Sequence, residues 1–227
     1  MGDETIANFN VPGFQWGHET YTRIGVDSNG YIIVGGGVAG DNSFVPQTLP
    51  DPAAPNNVIA PWWTDLDLTP GPGCVNNGTT SFCGARIATL TDGLDTWIVV
   101  DWEDVPTFGE GPGNVHDFQI WIGINGDANS VEDISLGYGV LGTGAPGAGN
   151  LNAGAENRDG SSGQNISPLP DDGDQFVITT SPPTPGGMVV LTYDALGRST
   201  GVHVLTARMV TNLTAGTTSA QVQLTVT

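Results

Sequence analysis

Lysine is absent from this chain, and its positive charge rests on five arginines: Arg23, Arg86, Arg158, Arg198 and Arg208. Against 24 acidic residues they leave a formal net charge of −19. A surface of that sign repels phosphate, so nucleic acid and anionic membranes are excluded as partners, while cations and cationic surfaces suit it. Without lysine there is also no P-loop lysine, no Schiff base and no lysine-derived isopeptide link. Long apolar runs are missing too. None approaches 18 residues, which argues against membrane insertion, and no strong helical period appears. Met1 leads straight into Gly-Asp-Glu-Thr, so no signal peptide is legible, and secretion is inferred from composition. Cysteine is scarce: Cys74 and Cys83 alone flank a short polar loop. The Cys-x-x-Cys spacing of a redox pair is absent, and a disulfide formed in an oxidising compartment is the expectation.

What is abundant is glycine and proline, 34 and 16 residues, among short runs of valine, isoleucine and threonine. That mixture describes short strands joined by tight turns, with enough apolar residues for a packed core. Tyr21–Val26 and Tyr31–Val34 read as a strand pair around Asp27-Ser28-Asn29-Gly30, whose last two residues supply the positive φ of a hairpin turn. Ala85–Leu90 and Thr96–Trp102 alternate in the same way around Asp92-Gly93. His116–Ile124 and Ile134–Val140 form a third pair, with Phe118, Ile120 and Ile122 on one face and Gln119 and Trp121 on the other. In the first twenty residues only Val11-Pro12-Gly13 stands out, as a turn. Residues 142–174 carry little apolar content. From about residue 175, regularly spaced alternating segments suggest a small immunoglobulin-like set of strands.

Three constellations could carry chemistry. The stretch Asn56–Asp67 holds Trp62 and Trp63, which an extended backbone sends to opposite faces, followed by Asp65 and Asp67 on one face. Two like charges so close invite a cation, and calcium is the candidate. A second oxygen-rich loop, with Asn125, Asp127, Asn129, Glu132 and Asp133, offers hard ligands at alternating positions but lacks the glycine and the final glutamate of an EF-hand. Asp101, Glu103 and Asp104 surround Trp102, and a pair of carboxylates is sufficient for glycoside hydrolysis. The histidines, His18, His116 and His203, stand near no nucleophile elbow and read as strand or surface residues. Exposed Trp63, Trp102 or Trp121 would serve to stack on a flat ligand.

The ordered series Tyr21…Val26-Asp-Ser-Asn-Gly-Tyr-Ile32, Asn57-Val-Ile-Ala-Pro-Trp-Trp-Thr-Asp65, Trp97-Ile-Val-Val-Asp-Trp-Glu-Asp-Val105, Phe118-Gln-Ile-Trp-Ile122 and Ile134-Ser-Leu-Gly-Tyr-Gly139 resembles the extracellular nidogen-type domain. It is most similar to bacterial versions found downstream of subtilisin-like serine peptidase domains. Ala155-Glu-Asn-Arg-Asp-Gly160 looks like a segment of that version, and the residues after 175 look like the immunoglobulin-like strands that follow it there. The resemblance covers residues 8–163 and 175–227. It implies an all-β, extracellular, non-catalytic module, and it carries over no catalytic residues. The sequence blocks that form a subtilase active site are absent.

The expectation is therefore an all-β antiparallel sandwich over residues 1–170 with an immunoglobulin-like segment over residues 175–227. Its role is that of a secreted or cell-surface accessory or adhesion module. The partner is an extracellular polymer, a protein substrate or an adjacent domain of the parent chain. A structural spacer that pairs through edge strands such as Ala220–Val226 is one alternative. A carbohydrate-active hydrolase using the paired carboxylates is the other.

Overall fold

The computed structural model describes residues 1–71, 74, 82–110, 114–124, 134–142 and 150–180, and beyond them the backbone of three strands at 189–193, 201–209 and 218–226. In chain order the strands are β1 (Ile6–Trp16), β2 (Glu19–Asp27), β3 (Ile32–Val34), β4 (Val58–Trp63), β5 (Gly84–Thr91), β6 (Thr96–Pro106), β7 (Val115–Gly123), β8 (Ile134–Leu141), β9 (Asn152–Glu156), β10 (Gly163–Asn165), β11 (Gln175–Thr180), β12 (Val189–Tyr193), β13 (Gly201–Met209) and β14 (Thr218–Val226). Twelve of them build two antiparallel sheets, ordered β1-β2-β3-β4-β9-β10 and β12-β11-β8-β7-β6-β5, while β13 and β14 pair as a separate ribbon. The all-β sandwich expected from the sequence is the fold observed.

Period-two alternation explains the core. Ile24, Val26, Ile32, Val34 and Ile59 of the first sheet pack against Ile98, Val100, Trp102, Phe118, Ile120, Leu136 and Phe176 of the second. Fully burying each such side chain contributes about 1.5–3 kcal/mol, and Trp102 stacks on Phe118 with ring centroids 5.1 Å apart.

A second apolar cluster lies on the other face of the first sheet. There Tyr31, Ile33, Val58, Ala60 and Trp63 are buried together with Leu49, which belongs to the long β3–β4 connection. Trp62 and Trp63 do point to opposite faces, as extended backbone requires. Both are buried nonetheless: Trp62 enters the sandwich core, and Trp63 packs 4.4 Å from the Tyr31 ring and donates its indole N–H to the Ser43 carbonyl.

The structure departs from the sequence reading in three places. Val11-Pro12-Gly13 makes no turn; β1 continues through it with a register shift between Asn10 and Phe14. An outermost strand tolerates a proline, because the missing N–H costs no ladder bond on its open side. Residues 142–174 hold β9 and β10, which complete the first sheet. Ala153, Gly154 and Ala155 lack the branched residues that mark a strand, but a Cβ on Gly154 would come within 2.2 Å of the Gln164 carbonyl. Lastly, β11 pairs with β8, and its Phe176 and Ile178 are buried in the core. Two strands expected in an immunoglobulin-like segment, β11 and β12, thus belong to the sandwich sheet, and the division expected at residues 170–175 falls inside the sandwich.

Cys74 and Cys83 are bonded to each other, with nine residues of sequence separation. Closing so short a ring stabilises the fold by about 2–3 kcal/mol in the chain-entropy picture. Denaturant titration with and without reductant should show a loss of that size, and an unchanged midpoint would mean that the bridge adds nothing to the stability of the fold.

Candidate functional site

The outer face of the second sheet carries an organised set of polar and aromatic side chains. Register fixes which residues meet there. Arg86, Asp101, Gln119, Gly137 and Gln175 form one row across β5, β6, β7, β8 and β11. Val99, Trp121, Ser135 and Val177 form the next. In the polar row, Arg86 pairs with Asp101 at 3.1 Å and also contacts Glu103. Asp101 accepts from Gln119 Nε2 at 2.9 Å, and Gln119 Oε1 accepts the Trp121 indole N–H at 2.8 Å. Each group fixes the next, so the half-buried Trp121 ring is held from one edge by Gln119 and from another side by Trp97, 6.1 Å away and nearly perpendicular.

Between β7 and β11 the outward positions of β8 are Ser135 and Gly137. A Cβ added at Gly137 would meet nothing within 4 Å. Small residues on β8 beside long ones on β7 leave a trough of about 450 Å³ along the sheet, walled by Trp121 and Gln119 on one side and Gln175 on the other. That volume lies in the range of ligand sites. Asp117 closes one end. Its carboxylate accepts the Asp104 amide at 2.7 Å, and burial first, then the charges of Asp104 and Asp101, holds its pKa above the ordinary carboxylate range.

Of the tryptophans named from the sequence, Trp121 is the one that lines this trough. Trp63 and Trp102 are fully buried and cannot stack on an external ligand. Trp63 lies under the β3–β4 connection, and Trp102 faces the core and donates its indole N–H to the Asp27 carbonyl at 3.3 Å. Of the three grouped carboxylates, Asp101 and Glu103 share Arg86, whereas Asp104 sits at a bulge with φ of 51° and gives its amide to the Asp117 carboxylate. His116 is a core residue. Its Nδ1 accepts the Gly142 amide, so Nε2 carries the proton and donates to Thr107 Oγ1, and burial lowers its pKa to about 4.

Asp65 lies in a different place. With Asp3 and Glu4 it forms a corner in which one carboxylate oxygen from each lies within 4.8 Å of the others. The chain start reaches this corner because Thr5 and Ser28 exchange two hydrogen bonds and Asn29 Nδ2 reaches Glu4. Burial, followed by the neighbouring charges, raises the pKa of Asp3 and Asp65, and Asp67 contributes to both shifts. Asp67 itself accepts the Thr69 amide and lies at the margin. The second oxygen-rich loop, Asn125, Asp127, Asn129, Glu132 and Asp133, lies outside the described residues.

Sequence reasoning did not single out Gln175, Gly137 or the buried acids Asp27 and Glu156. Gln175 and Gly137 gain their meaning only from pairing between distant strands. Asp27 and Glu156 were visible inside motifs, but nothing local marks a carboxylate for burial. No helix among the described residues is long and apolar enough to cross a membrane. No curated protein and no solved structure matches the chain. A family model described as NIDO related matches residues 2–162.

Proposed function

Because the chain belongs to the NIDO-related family, extracellular domains that are typically non-catalytic, we propose that it is an accessory binding module whose second sheet grips an extracellular polymer. The observation that carries this reading is the trough over Gly137, with Trp121 as a fixed aromatic wall and Gln119 and Gln175 as facing amides. Amides and a carboxylate at set positions can pair with hydroxyl groups, while a rigid indole offers an apolar surface for one face of a sugar ring. The only cation in the row, Arg86, is taken by Asp101 and Glu103. With a net charge of −19, a polyanion is repelled, and a neutral glycan strand is the ligand that fits.

Two properties support the accessory role over catalysis. Of the two carboxylates that line the trough, Asp101 is bound to Arg86 and Gln119 and Asp117 accepts the Asp104 amide, and His116 is sealed in the core. Calorimetric titration with soluble neutral polysaccharides should give binding that Trp121→Ala weakens about tenfold or more, the loss of one aromatic contact. Thermal stability of the variant should change little, since Trp121 is half-exposed. Binding that survives Trp121→Ala intact would place the ligand elsewhere. Release of reducing ends by the wild-type chain, abolished by Asp101→Asn, would replace this reading with that of a hydrolase.

A further inference from the structure

The trough has a wall at one end, and the register of β7 against β8 explains it. Along the outward side of β8 stand Ser135, Gly137 and Gly139, between the buried Ile134, Leu136 and Tyr138. The two glycines are not equivalent. A Cβ at Gly137 would meet nothing within 4 Å, whereas one at Gly139 would lie 2.9 Å from the Cβ of Asp117. The space over β8 is thus open at Gly137 and filled from β7 one outward position later.

A bulge makes this wall. Trp121 pairs with Ser135 and Gln119 with Gly137, but the register shifts between Phe118 and His116, and His116 pairs with Leu141. Gly139 and Val140 therefore stand together opposite Asp117. A bulge of this kind bends the strand and re-aims a side chain, here that of Asp117 over Gly139. The carboxylate accepts the Asp104 amide at 2.7 Å from one neighbouring strand and the Val140 amide from the other. Beyond it β8 is covered again, since a Cβ at Gly142 would run into Asn114 Oδ1.

A stop held from both sides also has acceptor capacity left. A carboxylate offers about four lone-pair sites, and two amides leave the others for a ligand's donors. No arginine pairs with Asp117 among the described residues, and its side chain lines the trough.

We propose that the trough recognises the end of a glycan chain, with the terminal ring stopped against Asp117 and its hydroxyls donating to that carboxylate, while Trp121 receives the chain behind it. The assignment rests on the glycan reading of the trough, and the wall adds which part of the strand enters. A site for the interior of a strand needs both ends free, so that the polymer can run through. A wall at one end admits a terminus.

Calorimetry and sedimentation of the full chain with linear neutral glucan, xylan and mannan distinguish the two. Each glycan is used as a size series, from short oligosaccharides to long chains of known mean length. One protein should bind per glycan chain at every length, and the affinity per mole of chain should level off once the oligosaccharide spans the trough. Asp117→Ala should weaken binding about tenfold for short and long chains alike, through the loss of charge-assisted hydrogen bonds. Should that variant fail to fold, the wild-type size series decides alone. If the number of bound proteins grows with chain length while binding still depends on Trp121, the trough stands as a glycan site and end recognition is overturned. If the wild-type chain binds none of the three glycans, or if Trp121→Ala binds them equally well, the glycan reading falls and end recognition falls with it.

Discussion

Replacing Gly30 by alanine should cost at least 3 kcal/mol, enough to unfold a domain of ordinary stability at modest denaturant. The turn Asp27–Gly30 is buried, which is unusual for a hairpin turn, and it is bonded to the segment after β4. Gly30 O accepts the Trp62 amide, Asn29 O the Thr64 amide and Asn29 Oδ1 the Leu66 amide. Gly30 has φ of 81°, and a Cβ there would lie 2.0 Å from the Trp62 carbonyl oxygen. The obstacle is main chain on both sides, so no rotamer relieves it. Gly93 is the control. It too is left-handed, with φ of 97°, but a Cβ there meets nothing within 4 Å. Gly93→Ala should therefore cost only the conformational penalty of about 1–2 kcal/mol. Urea denaturation of the two variants separates the effects, and equal losses would mean that the turn is not docked as described.

The second large effect concerns pH. Stability should fall as pH rises from about 4 to 8, where many proteins are near their maximum. Asp27 is fully buried, and burial, its largest influence, raises its pKa to about 7. The groups that face it are the Asn29 amide, the Asn42 side chain and Tyr31, which favour the ionised form, and Glu4, which opposes it. A carboxyl raised from 3.8 to about 7 binds its proton more tightly in the folded chain than in the unfolded one. Its contribution is complete below the unfolded pKa and is lost as pH climbs through the folded one. The amount is on the order of a few kcal/mol, or roughly 5–10 °C in melting temperature for a chain of this size. Asp27→Asn keeps an oxygen for the Asn29 amide, and Asn42 can turn its own oxygen to the new amide. The variant should melt with a flatter pH profile and exceed the wild-type chain at pH 8. A profile equally steep in both would move the origin of the slope to other acids.

Much of the fold was legible because its strands alternate. Phe118, Ile120 and Ile122 announce both a strand and the face it buries, whereas Trp97–Val100, apolar on both faces, announces a strand without saying that Ile98 and Val100 are its core side. Where one residue type served two purposes, local reading failed. Pro12 and Gly13 look like a turn but sit in an outermost strand, and Asn152–Glu156 looks like linker because tight packing there demands small residues. The tryptophans show the same limit at the level of the site. Alternation places Trp62 and Trp63 on opposite faces, yet only the path of the 35–57 connection decides that the outer one is covered. For the trough, alternation places Gln119 and Trp121 together, while its floor depends on which β8 residues fall opposite them, a matter of register between distant strands.

The pairing of β11 on β8 bears on where this domain ends. The family match stops at residue 162, yet the second sheet is finished by two strands beyond that point. The stretch that relatives have in common and the stretch that folds are thus of different lengths. A fragment cut to the shared stretch would leave β8 with its hydrogen-bonding groups unsatisfied and Leu136 uncovered by Phe176. Such a fragment is an open template, ready to accept a strand from any neighbour. In the full chain, the residues after the shared stretch act as the molecule's own guard against that exchange.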